Sequence, residues 1–287
     1  MKKFTEFSRR AVMGLAAAAA VLSATSVAMA ETTLEKIKKQ GYIRVGFANE
    51  APYSFATASG KLAGESPTVF THVMKQLGVN EVDGVLTEWG SLIPGLKAGR
   101  FDAIVASMYV TPKRCAQIIF ANPTYGIGEA FVVKNGNPDG INTYADAVGK
   151  DKKIAFIAGT AEVEHAKMAG MSMEQRVIVP DFASAVAAVK AGRASAAALT
   201  SLTAKDLASK DDGIERAAPF TFTHEGKKYK GEGSFGFRKE DTSLRDAVNA
   251  ELKKFLGTPE HIAMIKEYGF DESNLPEKTA AQHCAGE

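Results

Sequence analysis

Beyond residue 30 the sequence has no apolar run approaching the roughly 20 residues that a membrane-spanning helix requires. That excludes a bilayer-crossing helix from the rest of the chain. Cysteine is scarce: Cys115 and Cys284 are the only two among 287 residues. Two sulfurs without a nearby histidine cluster cannot supply a four-ligand metal centre, and no cofactor is expected. Neither sign of charge dominates once the first thirty residues are set aside. Those residues carry four Lys/Arg and one Glu, so 31 basic and 32 acidic residues remain, with a net charge of about −1. No basic stripe survives to hold a nucleic acid. Catalytic signatures are missing too: there is no nucleophile elbow, no phosphate loop and no H-E-x-x-H. What is left, 45% apolar and 24% charged, is ordinary globular composition, enough for one large or two medium domains.

The first thirty residues read as a signal peptide. Lys2, Lys3, Arg9 and Arg10 precede an Ala-rich run from Ala11 to about Leu22, and Ala28-Met29-Ala30 has the A-x-A form of a cleavage site. Cleavage after Ala30 and export into the periplasm as a soluble, monomeric protein are expected. Ser8-Arg9-Arg10 leaves the twin-arginine route open beside the general one. No cysteine near the cleavage site offers a lipid anchor. In an oxidising compartment an even cysteine count favours a Cys115–Cys284 bridge; the alternative is two buried thiols.

Short apolar runs alternate with helical patterns along the chain. Residues 42–48, 101–108, 153–158 and 176–180 read as strands. Ser66 is expected to cap a helix with Pro67 at its first position, carrying Val69, Phe70, Val73 and Met74 on one face. The segment Lys97-Ala98-Gly99-Arg100 recurs as Lys190-Ala191-Gly192-Arg193, each copy closing a helix before a small-residue strand. The repeat argues for two similar α/β lobes and puts Thr200 where Ser107 stands in the first. The expected organisation is residues 31–134 as the first part of lobe 1, 135–232 as lobe 2, and 233–287 as the return to lobe 1 with a C-terminal tail. Two parallel-type sheets with flanking helices would be joined by a two-strand hinge.

Two apparent motifs dissolve under inspection. Gly231, Gly233 and Gly236 fit G-x-G-x-x-G but lie late in the chain, before a strand-like segment rather than a helix, which argues against a dinucleotide site. Glu162 and His165 resemble half of a di-iron helix motif without its second copy, and read as a solvated helix face. A binding constellation remains. Arg114 follows Thr111-Pro112 just past a strand, and its guanidinium fork suits a carboxylate. Tyr53 beside Glu50, Trp89, and Tyr109 sit at three strand-end loops of one lobe, where aromatic faces can enclose a diffuse cation.

The run G-R-F-D-A-I-V-A-S-M-Y-V-T-P-K-R, with W-G-S-L-I-P-G-L before it, resembles the solute-binding proteins of polar-amino-acid ABC importers. FANEAPYSF, GESPTVF, NPTYGIGEAFVVKNGNP, TSLTAKDL and FGFRKED are similar to the ectoine/hydroxyectoine-binding branch of that family. The resemblance spans nearly the whole chain after residue 30 and includes Cys284 beside Cys115. It implies a two-lobed periplasmic binding protein-like fold of type II that closes on a small zwitterion and delivers it to a membrane permease. It implies Arg114 on the carboxylate, Tyr53, Trp89 and Tyr109 around the cationic ring, and Glu50 on a ring N–H. Thr160 would add its hydroxyl or backbone N–H from the second lobe. Thr200 stands where ordinary amino-acid binders carry an aspartate for the α-ammonium, and without that carboxylate a compatible solute is favoured over arginine or glutamine. Hydroxyectoine, another cyclic zwitterion, a betaine, a polar amino acid or an opine-like compound are the alternatives within the class. Outside it stands a dehydratase on the same fold with Glu50 as general acid, for which no second catalytic group is visible.

Overall fold

The computed structural model describes residues 31–218, 220, 222–224 and 227–287. The expected signal peptide and its cleavage site lie outside the described residues. Thr32 caps helix α1 (Thr33–Gln40) through a capping box with Glu35, and Gly41 ends it at φ 83°. Strand β1 (Tyr42–Phe47) follows, then a small ladder of β2 (Phe55–Ala56) and β3 (Leu62–Ala63). Helix α2 (Glu65–Gln76) begins earlier than the sequence pattern predicts. Its N-cap is Gly64, and Pro67 is its third residue. The Glu65 and Ser66 N–H groups donate to the carbonyls of Pro52 and Tyr53 at 3.1 and 3.0 Å, so the loop supplies the cap. Only glycine fits there, because a Cβ at residue 64 would lie 2.4 Å from the Tyr53 carbonyl oxygen.

Strand β4 (Glu81–Leu86), helix α3 (Leu92–Lys97), strand β5 (Ala103–Tyr109), helix α4 (Pro112–Cys115) and strands β6 (Ile119–Phe120) and β7 (Tyr125–Ile127) complete the first pass through lobe 1. The chain then runs through β8 (Glu129–Lys134), α5 (Tyr144–Gly149), β9 (Ile154–Ile157), α6 (Glu162–Met168), β10 (Arg176–Val179), α7 (Phe182–Lys190), β11 (Ala196–Thr200), α8 (Ser201–Ala208) and β12 (Ile214–Arg216). A two-residue ladder, β13 (Thr223–His224) with β14 (Lys227–Lys228), precedes β15 (Gly231–Phe237). Helices α9 (Thr242–Phe255), α10 (Pro259–Lys266) and α11 (Ala280–Ala285) close the chain.

The protein has a two-lobed α/β fold. The first sheet has the order β4-β1-β5-β15-β6, with β7 also on β15; the second has the order β10-β9-β11-β8-β12. Each is mixed rather than purely parallel. Three strands run parallel, while β15 in the first sheet and β8 in the second run antiparallel to their neighbours. The reason is the crossover: each of these strands arrives from the opposite lobe, against the direction of the βα units. The second lobe also begins earlier than the expected boundary at 134/135. Glu129–Lys134 pairs with β11 and β12, so the outward crossing lies at Gly128.

The internal repeat is structural. Gly99 and Gly192 both end their helices at φ 70°, and β5 and β11 begin at corresponding positions. Ile43, Val45, Phe70, Val73, Phe235 and Leu252 meet in the first lobe's core, and Phe131, Ile154 and Phe156 in the second's. Each such side chain contributes about 1.5–3 kcal/mol by leaving water. The late glycine motif lies inside β15 and makes room for rings. A Cβ at Gly231 would come within 2.2 Å of the Tyr109 ring, and one at Gly233 within 2.3 Å of Tyr125.

Candidate functional site

The carboxyl ends of both sheets meet at one cavity, with about 360 Å³ of unfilled space counting its open mouth. The first lobe contributes Glu50, Trp89, Ser107, Tyr109, Arg114 and Tyr125 to its wall. From the second lobe come Ile157, Thr160, Glu162, Phe182, Leu199 and Thr200. Six of the seven residues expected from the sequence are therefore brought together. Tyr53 is set back. Its ring is buried behind Tyr125, with centroids 5.2 Å apart, and packs edge-on against Phe270. The Tyr53 hydroxyl faces Thr200 without making a hydrogen bond. Tyr125 is the wall residue instead, since β7 pairs with β15 opposite Gly233 and its ring fills the room that glycine leaves.

Arg114 is only 7% exposed. Thr111 caps α4 by accepting from the Arg114 N–H, with Pro112 at the first turn, which fixes the start of the side chain. The guanidinium then turns back. One terminal nitrogen donates to the Tyr109 carbonyl at 2.8 Å, and the other crosses to the Gly159 carbonyl in the second lobe at 3.0 Å. The group also lies over the Trp89 ring, 5.8 Å from its centroid. Of the guanidinium's five N–H groups, three have no acceptor among the described residues. Burial works against its charge, and Glu162 with the neighbouring tyrosines opposes that effect. Trp89 also spans the lobes, its indole N–H donating to Gly159 at 3.3 Å.

Glu50 joins the lobes on the other side. One of its oxygens accepts from Thr200 at 3.2 Å and from Thr203 at 2.9 Å. Burial, then the charge of Glu162, pushes Glu50 up to about 8, against the two threonine hydroxyls and Arg114. Thr160 lines the cavity, but its hydroxyl proton and its N–H both go to the Ile157 carbonyl at 3.0 and 3.3 Å. Neither donor is therefore free in the way the sequence reading expected. Ser107 holds φ 53° under the pocket, tied by three bonds and backed by a fourth at Glu65. Its N–H donates to Ser66, its hydroxyl to Glu65, its carbonyl accepts from Tyr125, and Glu65 accepts in turn from Thr124.

The expected solvated face at Glu162 and His165 is overturned. Both are buried, at 5% and 4% exposure. His165 pairs through Nδ1 with Glu129, whose second oxygen accepts from Tyr144 at 2.8 Å. That hydrogen bond and the Glu129 charge outweigh the burial of the ring and raise His165. Glu162 sits at the first position of α6 on the cavity wall. Burial, then the nearby Glu129, pushes it up to about 7, with His165 opposing. The second lobe thus does carry a carboxylate in the site, at Glu162 rather than at Thr200. The helix period was legible, but its polar residues face inward because partners from distant strands receive them.

Cys115 and Cys284 form the disulfide, with Cα atoms 5.6 Å apart. It ties the tail to the helix that carries Arg114. The tail is anchored again at Glu232, which accepts from the N–H groups of Glu277 and Lys278 and meets His283 at 2.8 Å.

The sequence pattern of "Bacterial extracellular solute-binding proteins, family 3" matches residues 43–271. A relative from Sinorhizobium fredii (strain NBRC 101917 / NGR234), the "Probable amino-acid ABC transporter periplasmic-binding protein y4tE", is 36% identical over 280 residues, covering 96% of this chain and 93% of its own. The lysine/arginine/ornithine-binding periplasmic protein of Escherichia coli (strain K12) is 27% identical, covering 76% and 83%. Among solved structures, EhuB in complex with hydroxyectoine matches with a TM-score of 0.80 and 37% identity, over 90% of this chain and 99% of that one.

Proposed function

The chain belongs to the bacterial extracellular solute-binding proteins, family 3, and from that membership we propose that it captures an ectoine-type zwitterion in the periplasm for an ABC importer. The observation that carries this reading is the buried Arg114, with three uncommitted N–H groups, set among Trp89, Tyr109 and Tyr125 and opposite Glu50. The guanidinium takes the ligand's carboxylate in paired hydrogen bonds. The tyrosine faces and Phe182 enclose the apolar and cationic body of the ligand, each cation–π contact contributing about 0.5–2 kcal/mol in a dry cleft. Glu50 accepts from a ring N–H, and Thr200 holds Glu50 in place. Closing the lobes excludes water and strengthens each of these attractions. Ligand favours the closed form because only that form offers both walls. The function is capture without turnover; the liganded monomer then docks on a membrane permease.

Glu162 favours a second reading. A carboxylate on the second lobe can meet an α-ammonium or a side-chain cation, as a polar or basic amino acid would require. Native mass spectrometry of protein taken from cells, followed by calorimetry with ectoine, hydroxyectoine, arginine and glutamine, separates the two. A retained cyclic amidine mass and tight ectoine binding are expected. Tight arginine or glutamine binding with no ectoine binding would falsify the first reading.

A further inference from the structure

Among the described residues the cleft contains one strong cation, Arg114, and two carboxylates, Glu50 from the first lobe and Glu162 from the second. Glu162 has no Lys, Arg or His nitrogen within ion-pairing distance among the described residues, whereas Glu164 on the outer face of the same helix pairs with Lys113 and Lys167. The other charged groups around Glu162 are already balanced. Glu129 and His165 form a pair whose formal charges sum to zero, with Glu129 acting on Glu162 more strongly than His165 does. Tyr109, Tyr125, Tyr144 and Tyr229 are all raised by burial and stay neutral. Glu65 lies below the pocket, and its bonds to Ser107 and Thr124 are both within the first lobe, so lobe closure leaves them intact. Among the described residues, the net charge of the closed cleft is therefore set by Arg114, Glu50 and Glu162.

We infer that Glu162, across the cleft from Glu50, makes the ligand's net charge a selected property: a net-neutral zwitterion is captured together with one proton, while a ligand of net charge +1 is captured without one. This rests on the proposed binding site but not on the identity of its ligand. With a zwitterion bound, the ligand's carboxylate offsets Arg114 and its cation offsets one glutamate. The second glutamate is then a lone charge in a cleft closed to water, a costly state that a proton removes. That proton comes from solvent and ends on a carboxylate oxygen; no bond of the ligand changes. A basic ligand brings the second positive charge itself. The raised positions of Glu50, about 8, and Glu162, about 7, agree with one shared proton near neutral pH. Because the closed form holds the proton more tightly than the open one, zwitterion affinity falls as pH rises from the ordinary carboxylate range through that of the closed cleft. At its steepest the fall is about tenfold per pH unit for one proton.

Calorimetry near pH 7 in phosphate, HEPES and Tris tests this, since the dependence of the observed heat on buffer ionisation counts protons. Ectoine and L-arginine are the probes. Ectoine should bind with uptake of about one proton and arginine with almost none. Glu162→Gln should abolish the uptake with ectoine and weaken arginine at least tenfold, with the thermal midpoint as the folding control. Ectoine bound without uptake, or uptake unchanged in both Glu162→Gln and Glu50→Gln, overturns the inference and leaves the ligand assignment standing. Failure of ectoine to bind overturns the assignment instead. Arginine binding without a proton then upholds the charge count, and arginine binding with one defeats it.

Discussion

Replacing Arg114 with alanine removes the one cation that faces the cavity from the first lobe. A hydrogen bond to a charged group contributes about 1.5–3 kcal/mol, and stripping one partner from a buried ion pair costs about 2–5 kcal/mol or more, because the abandoned charge stays dry. With a carboxylate left unpaired beside Trp89 and Tyr109, about 3–5 kcal/mol of binding should be lost, a rise in Kd of about a hundredfold to several thousandfold. The change also deprives the Tyr109 and Gly159 carbonyls of a donor. Arg114→Lys is therefore the companion variant. It keeps the charge but loses the fork, and should fall between wild type and alanine. Calorimetry with ectoine gives the affinity, and a thermal melt without ligand separates lost binding from lost folding. If Arg114→Ala binds within about threefold of wild type at an unchanged melting temperature, the carboxylate is held elsewhere and the site assignment fails.

Glu65 is fully buried and raised to about 7, chiefly by that burial, against an ordinary 4.5. Its ionisation destabilises the fold above that value and not below 4.5, so Glu65→Gln should raise stability near pH 8 by up to about 3 kcal/mol and change little near pH 4.5, as read from denaturant midpoints. Converting Cys115 and Cys284 to serine opens a loop spanning 169 residues. Chain entropy sets a ceiling of about 5 kcal/mol, and a loss of about 2–4 kcal/mol in urea unfolding is expected; an unchanged midpoint would contradict it. Gly231→Ala drives a methyl group into the Tyr109 ring, and should cost about 1–3 kcal/mol of stability while weakening ligand binding. Full stability with full affinity in that variant would mean the ring is not held by the strand behind it.

Much of the frame was readable from local chemistry. Gly99 and Gly192 announce the repeat because only a glycine ends a helix comfortably at φ 70°, and the strands that follow carry Ser107 and Thr200 to matching ends. Arg114, Trp89 and Tyr109 were legible because each lies just beyond a strand in its own lobe. The residues that local patterns do not reveal depend on distant partners. Tyr125 reaches the wall through pairing with a strand more than 100 residues later in the chain. Glu162 looked exposed because its neighbours Glu164 and Lys167 are outward-facing; the ring and carboxylate that bury its side of the helix come from Glu129 and Tyr229. The start of α2 differs from the sequence pattern for a similar reason, since each capping carbonyl lies thirteen residues before its donor and no neighbouring hydroxyl supplies the cap.

The carbonyl of Gly159 is a shared fixture: Arg114 and Trp89, both on the opposite half of the molecule, end on that single oxygen. With the site as proposed, recognition and the contact between the lobes draw on the same atoms. Anyone recasting the pocket for another cargo, or building a fluorescent reporter from it, will move the empty protein's open–shut balance with every exchange at either position. Gains in selectivity have to be judged against a baseline measured afresh for each variant.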